Sequence, residues 1–250
     1  VSGEETIRRA KPNAIDRIEG FILFAFSAAV TAFVTSGRYI SFVTPRTMPY
    51  LWFAALVLLA LSIAAWFGAF QCTRDSLGRI LIVAVLPTLL LSLPLDSANA
   101  STTGANRAIA INASTAAALP GLDTAAKTIT IRDDDFGSWF DRIDRHSEQY
   151  LGYTVIVEGF VSRDSSLGPS QFSTSRMLMT CCVLDMTPFG LVTDTSAIPK
   201  ALPSDKAWVR VTGTIAKGRI GTASHGYDGL IVKAKSVHAA NETPNGYFYR

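Results

Sequence analysis

Long runs of uncharged apolar residues fill the first third of the chain, and they constrain its folding more than any other feature. Residues 20–35 and 48–70 carry no charged side chain. A helix needs about 20 apolar residues to cross a hydrocarbon layer of about 30 Å. A helix also satisfies its own backbone polar groups, as a lipid environment requires. A third run, residues 80–95, is interrupted by Pro87 and Pro94. The pattern predicts a membrane anchor over residues 1–95, with spans near 18–36, 50–70 and 77–95, so two or three transmembrane helices. Aromatic residues mark the presumed interfaces: Tyr39, Phe42, Tyr50 and Trp52 at one, Trp66, Phe67 and Phe70 at the other.

Arg8, Arg9, Lys11 and Arg17 precede the first run, and Arg74 and Arg79 follow the second. Basic residues favour the cytoplasmic side. The expected product is a multi-pass protein of the cell membrane with a cytoplasmic N-terminus. If the third run crosses, the C-terminal domain is extracytoplasmic. The runs themselves contain no ionisable group, whereas ion and solute pathways are built from intramembrane polar groups. That argues against this chain being a complete transporter alone. It suits an anchor, or a subunit packed against a larger polytopic permease. Ala54, Ala55, Ala60, Ala64, Ala65 and Gly68 offer a small-residue stripe for close helix approach.

Hydrophobic residues make up 48% of the chain and charged residues 17%, but that average conceals a division at about residue 100. Beyond it stand 15 Lys and Arg against 14 Asp and Glu, so there is no basic footprint for nucleic acid. Residues 96–123, rich in Ser, Thr, Ala and Asn, read as a flexible linker. Residues 124–250 read as a soluble β domain. Residues 127–132 alternate as a strand does. Asp133, Asp134 and Asp135 follow, as a helix cap and first-turn charges. Phe136, Trp139, Phe140 and Ile143 then recur at helical spacing up to about residue 149, where His146 stands as a helix-end cation. Strands are expected at residues 154–161, 176–186, 190–193, 207–215 and 229–237. Gly159 and Gly213 inside them mark bulges or sharp coiling. Short, glycine-kinked strands with one flanking helix suggest a small, partly open barrel of the oligonucleotide/oligosaccharide-binding (OB) type.

Two adjacent thiols, Cys181 and Cys182, lie in Thr180-Cys181-Cys182-Val183-Leu184-Asp185; Cys72 is the third cysteine. If residues 176–186 are one strand, faces alternate. Met179, Cys181, Val183 and Asp185 then share one side. Leu178, Thr180, Cys182, Leu184 and Met186 share the other, which reads as core. Both thiols meet one ion only if the strand bulges. Three readings stand: a soft-metal site on Cys181, Cys182 and Asp185, a strained vicinal disulfide, or structural packing. Zinc wants about four N, S or O ligands, and the remaining candidates are His146, His225 and His238. No Walker loop, Gly-x-Ser-x-Gly or His-Glu-x-x-His motif occurs, so no enzymatic mechanism is indicated.

Several segments resemble the YcgQ-like permease-subunit family. They are Gly37 to Arg46 between the first two runs, Asp134-Asp135-Phe136-Gly137-Ser138-Trp139, the stretch from Tyr153 to Asp164, and Arg176 to Asp185 with its Thr-Cys-Cys-x-x-Asp pattern. The resemblance covers most of the chain. It implies an accessory subunit working beside a larger membrane permease, and zinc handling. The alternatives are a stand-alone, membrane-tethered metal sensor or carrier, and a thiol-redox protein.

Overall fold

The structure, a computed structural model, describes residues 14–69, 78, 81–92, 107–111, 119–198, 202–222, 224–241 and 246–250. The chain divides into two compact units, Val1–Ser97 and Ala98–Arg250.

In the first unit, helix α1 (Ala14–Thr35) and helix α2 (Met48–Trp66) are joined through 3-10 turns at Arg38–Ser41 and Pro45–Thr47. Ala14–Thr35 and Pro45–Trp66, 22 residues each, are long and apolar enough to cross a membrane. Pro45 and Pro49 fall at the helix entry, where a missing N–H costs nothing. The helices are drawn together by two buried hydroxyls. Ser27 Oγ donates to the Ala55 carbonyl at 2.8 Å, and Ser62 Oγ to the Gly20 carbonyl at 2.7 Å. A Cβ on Gly20 would lie 3.1 Å from Ser62 O and 3.2 Å from Trp66 N, so only glycine sits comfortably there. Ala55 and Ala65 are buried, while Ala54 and Ala60 are exposed. Two of the six residues of the expected small-residue stripe are thus buried inside this unit.

The first expected span is corrected in one respect. Helix α1 starts early enough to take in Asp16 and Glu19, and both are buried. Glu19 Oε2 has no hydrogen-bond partner among the described residues. Of the third expected span, residue 78, a π-turn at Leu81–Val85 and helix α3 (Leu86–Ser92) are described. The wider turn falls just before Pro87, whose ring crowds the carbonyl four residues back. The rest of that run lies outside the described residues, as do Cys72, Phe70, Arg74 and Arg79.

The second unit is mostly β. Its strands are β1 (Ala108–Ala110), β2 (Leu122–Asp123), β3 (Thr128–Thr130), β4 (Thr154–Ser162), β5 (Gln171–Leu178), β6 (Thr187–Asp194), β7 (Trp208–Gly221), β8 (Gly226–Ala239) and β9 (Tyr247–Tyr249). Helix α4 (Phe136–Arg145) and the single turn α5 (Ser147–Tyr150) stand between β3 and β4. The sheet order is β1-β9-β5-β6-β8-β7-β4-β3-β2. Strand β4 also pairs antiparallel with β5, so β4, β5, β6, β8 and β7 form a closed ring. Along β4, Val155, Val157, Gly159 and Val161 point inward in strict alternation. They meet Phe172, Leu191, Val211, Ile215 and Val232 in the core. Helix α4 adds Phe136, Trp139 and Ile143 to that core, as its spacing predicts, and Trp139 Nε1 donates to Pro120 O at 2.9 Å. Gly213 sits at a register shift between β7 and β8. Gly159 is paired regularly, but a Cβ there would lie 2.7 Å from Ser175 O, where β5 crosses closely.

Four sequence expectations change. The stretch read as a flexible linker, 96–123, contributes β1, which pairs with β9, and β2, which pairs with β3. The helix expected to run to about residue 149 breaks at His146. Asp135 occupies the N-cap of α4 without a side-chain cap bond; the three aspartates bind arginines instead. The strand expected over 176–186 ends at Leu178.

Candidate metal-binding turn

Strands β5 and β6 pair up to Leu178↔Thr187, so residues 179–186 form the connection between them. Met179 N bonds Phe248 O at 2.9 Å, and the chain then turns into a 3-10 turn at Val183–Asp185. The apolar run reads as a continuation of the strand, but the backbone here answers to Asp185. Its carboxylate accepts the amides of Thr180 at 2.9 Å, Cys181 at 2.7 Å and Cys182 at 3.4 Å. In return the Cys182 side chain accepts the Asp185 amide, completing a capping box. The Thr-Cys-Cys-x-x-Asp spacing is therefore the spacing of one turn closed on one carboxylate.

This overturns the face assignment made from alternation. Met179, placed beside Cys181, is fully buried, and Leu184, placed in the core with Cys182, is 93% exposed. Cys181 is exposed, and Cys182 and Asp185 are half-buried. No bulge is needed to bring the thiols to one side, because the strand has already ended. The two sulfurs and a carboxylate oxygen all lie within 4.8 Å of one another. Among the described residues no histidine joins them. His146 closes α4, His225 Nδ1 lies 2.9 Å from Ser224 Oγ, and His238 pairs across to Arg210 on β7.

The Cys181 thiol is pushed up to about 12, first by its hydrogen bond to the Asp185 carboxylate, then by that with Cys182. The same thiol bond, followed by the backbone amides, holds Asp185 below its ordinary value. The Cys181 thiol therefore keeps its proton and shares it in a hydrogen bond with the Asp185 carboxylate. Two sulfurs and one oxygen match what zinc accepts, and three protein ligands leave a fourth position open. A metal ion would take the place of the shared proton, since thiolate, not thiol, is the ligand.

Sequence reasoning missed Arg176. Its guanidinium is buried, lies 4.6 Å over the Trp208 ring and 5.6 Å from that of Phe136, and pairs with Asp133 at 2.8 Å. Burial lowers its pKa, against the opposing pull of Asp133 and Glu158. Arg107 pairs with Asp133 at 3.2 Å and with Asp134, and Arg132 with Asp135 at 3.0 Å. All three aspartates are thereby satisfied by arginines. An arginine flanked by strand residues was the available signal.

The DUF1980 C-terminal domain matches residues 110–250. The chain belongs to the DUF1980 family. UPF0703 protein YcgQ of Bacillus subtilis (strain 168) is 26% identical over 94 residues, covering 37% of this chain and 32% of that protein. The match thus spans about a third of the length of that relative. The resemblance to the YcgQ-like family stands, and neither match points to an enzyme family. Among solved structures, the mitochondrial single-stranded DNA-binding protein Rim1 of S. cerevisiae aligns with 38% of this DUF1980 chain and 98% of its own. Its sequence identity is 11% and its TM-score 0.22, which carries no argument about ligand or fold.

Proposed function

We propose that the chain is a membrane-anchored accessory subunit of a permease complex, whose C-terminal domain holds a soft metal ion at Cys181, Cys182 and Asp185. The observation that carries the metal reading is the convergence of two sulfurs and one carboxylate oxygen within 4.8 Å on an exposed turn. We read the domain as a small barrel of the OB type. The closed ring β4-β5-β6-β8-β7, with β6 and β8 parallel and the other ring pairs antiparallel, supports that reading. The family resemblance supports a larger polytopic permease as partner and the basic residues support a cytoplasmic N-terminus; the C-terminal domain is extracytoplasmic if the third run crosses. Exposed Phe53, Leu56, Ile63 and Trp66 on α2 support a lipid- or helix-covered anchor.

The thiol-redox reading is the weaker one. A redox thiol needs a depressed pKa to attack, and Cys181 is shifted the other way. The test is metal analysis of the full chain purified with zinc present. One equivalent is expected, and none in Cys181→Ser or Asp185→Asn. Absence of stoichiometric metal from the unaltered chain would sink the metal site. Recovery of the chain alone from gently solubilised native membranes would sink the permease partnership.

A further inference from the structure

We propose that the outer face of β4, β5 and β6 carries a second binding site, which takes a neutral polyhydroxylated small molecule of about one sugar ring. A cavity of 370 Å³ opens there. Small-molecule sites run from about 300 to 1,000 Å³. None of Cys181, Cys182 and Asp185 lines it, so the site stands apart from the metal-binding turn.

The lining is chemically selective. Ser162, Ser166 and Ser173 present hydroxyls, with Ser175 behind them. Ser162 and Ser173 are cross-strand partners on β4 and β5. Ser175 is fully buried and donates to Ser173 Oγ at 2.8 Å, which leaves the Ser173 hydroxyl proton free to point outward. Its neighbour across to β6 is Gly190, which places no side chain over it. Beside the hydroxyls lie one side chain that only donates, Arg163, and one that only accepts, Asp164. Their charges cancel. Hydrogen bonds from the Ser166 amide and hydroxyl hold Asp164 below its ordinary value, so the carboxylate stays ionised and repels an oxyanion. Among the described residues no aromatic ring lines the cavity, so none of them offers a nucleobase a stacking platform. Leu167 and Pro188 supply apolar surface for C–H groups. Ligand hydroxyls that both donate and accept, on a carbon frame without charge, match this set.

The rim is held before any ligand arrives. Arg163 Nη2 donates to the Pro203 carbonyl, and the Arg163 amide to Asp205 Oδ1 at 3.2 Å. Ser166 N bonds Asp164 Oδ1 at 2.8 Å, and Leu167 N bonds Asp164 O at 3.0 Å. Gln171 then fastens the loop to the end of β7. Its Oε1 accepts Gly168 N and Gly221 N, each at 3.0 Å, and its Nε2 donates to Arg219 O at 2.7 Å. A loop fixed this way loses little freedom on binding.

The full chain in nanodiscs free of glycoside detergent is titrated with D-glucose, maltose and inorganic phosphate, followed by calorimetry and saturation-transfer NMR. Saturable binding of a sugar is expected, without binding of phosphate. Arg163→Ala, and separately Ser173→Ala, should weaken sugar binding about tenfold, the loss of a hydrogen-bonded contact. Cys181→Ser should leave it unchanged, which separates this site from the metal reading. Binding of phosphate in place of sugar overturns the proposal. So does the absence of saturable binding by either sugar, or sugar binding that both cavity variants leave intact.

Discussion

At the scale of single residues, Asp185 governs the turn. It closes the backbone through three amides and holds the Cys181 thiol in its neutral form. Replacing it with asparagine removes the negative acceptor, so the Cys181 pKa should fall toward that of a free thiol. Alkylation rates between pH 7 and 10, measured in a Cys182→Ser background, should then rise at the lower pH values. An unchanged profile would mean that the carboxylate does not hold the thiol proton. The acid side has a definite sign. Asp185 has a folded pKa below its unfolded one, so its contribution to stability is present above the unfolded value. It is lost as pH falls through the folded value. Amide exchange at Thr180 and Cys181 should quicken there while the core strands stay protected. Zinc affinity should rise with pH, because binding must release the shared proton. Arg176 makes a separate demand on stability. Arg176→Ala leaves Asp133 half of its partners and uncovers the Trp208 and Phe136 rings. Breaking a buried pair from one side costs about 3–5 kcal/mol. Since Asp133 is partly solvated, the lower end is expected in urea unfolding.

At the scale of elements, the closing strand β9 carries more than its length suggests. Tyr247 and Phe248 are almost wholly buried, and β9 lies between β1 and β5. Truncation before Tyr247 would remove two buried aromatics, each worth about 3–5 kcal/mol when cut to alanine. The sum approaches the whole stability of a typical domain, about 5–15 kcal/mol. The truncated chain should lose cooperative unfolding, and a sharp transition retained near the original midpoint would contradict this. The sequence shows why such strands escape reading. Ala108–Ala110 and Tyr247–Tyr249 are too short to display a period, and the first lies in a stretch whose composition suggests a tether. Strand β4 was legible because nine residues alternate without interruption. The cysteine turn was misread because a short apolar run between turn signals reads as a strand. Its geometry is decided by one polar side chain five residues after Thr180. The three site residues were legible as chemistry; their convergence was not, because alternation put the thiols on opposite faces.

At the scale of the whole molecule, two units of different character share one chain. The first exposes Phe21, Phe24, Phe53, Leu56 and Ile63 along its helices, a surface unsuited to water. The full chain should stay in the membrane pellet after an alkaline carbonate wash and be released by detergent. Its appearance in the carbonate supernatant would argue against spanning helices. The second unit has a different relation to its surroundings. Five of its strands close into a ring, and the sheet order ends on β1 and β2, of three and two residues. An open sheet edge is a template on which a neighbouring chain can grow a cross-β stack. Among the described residues the terminal edges are too short to seed one, so crowded molecules can collide often without their strands recruiting each other into fibrils.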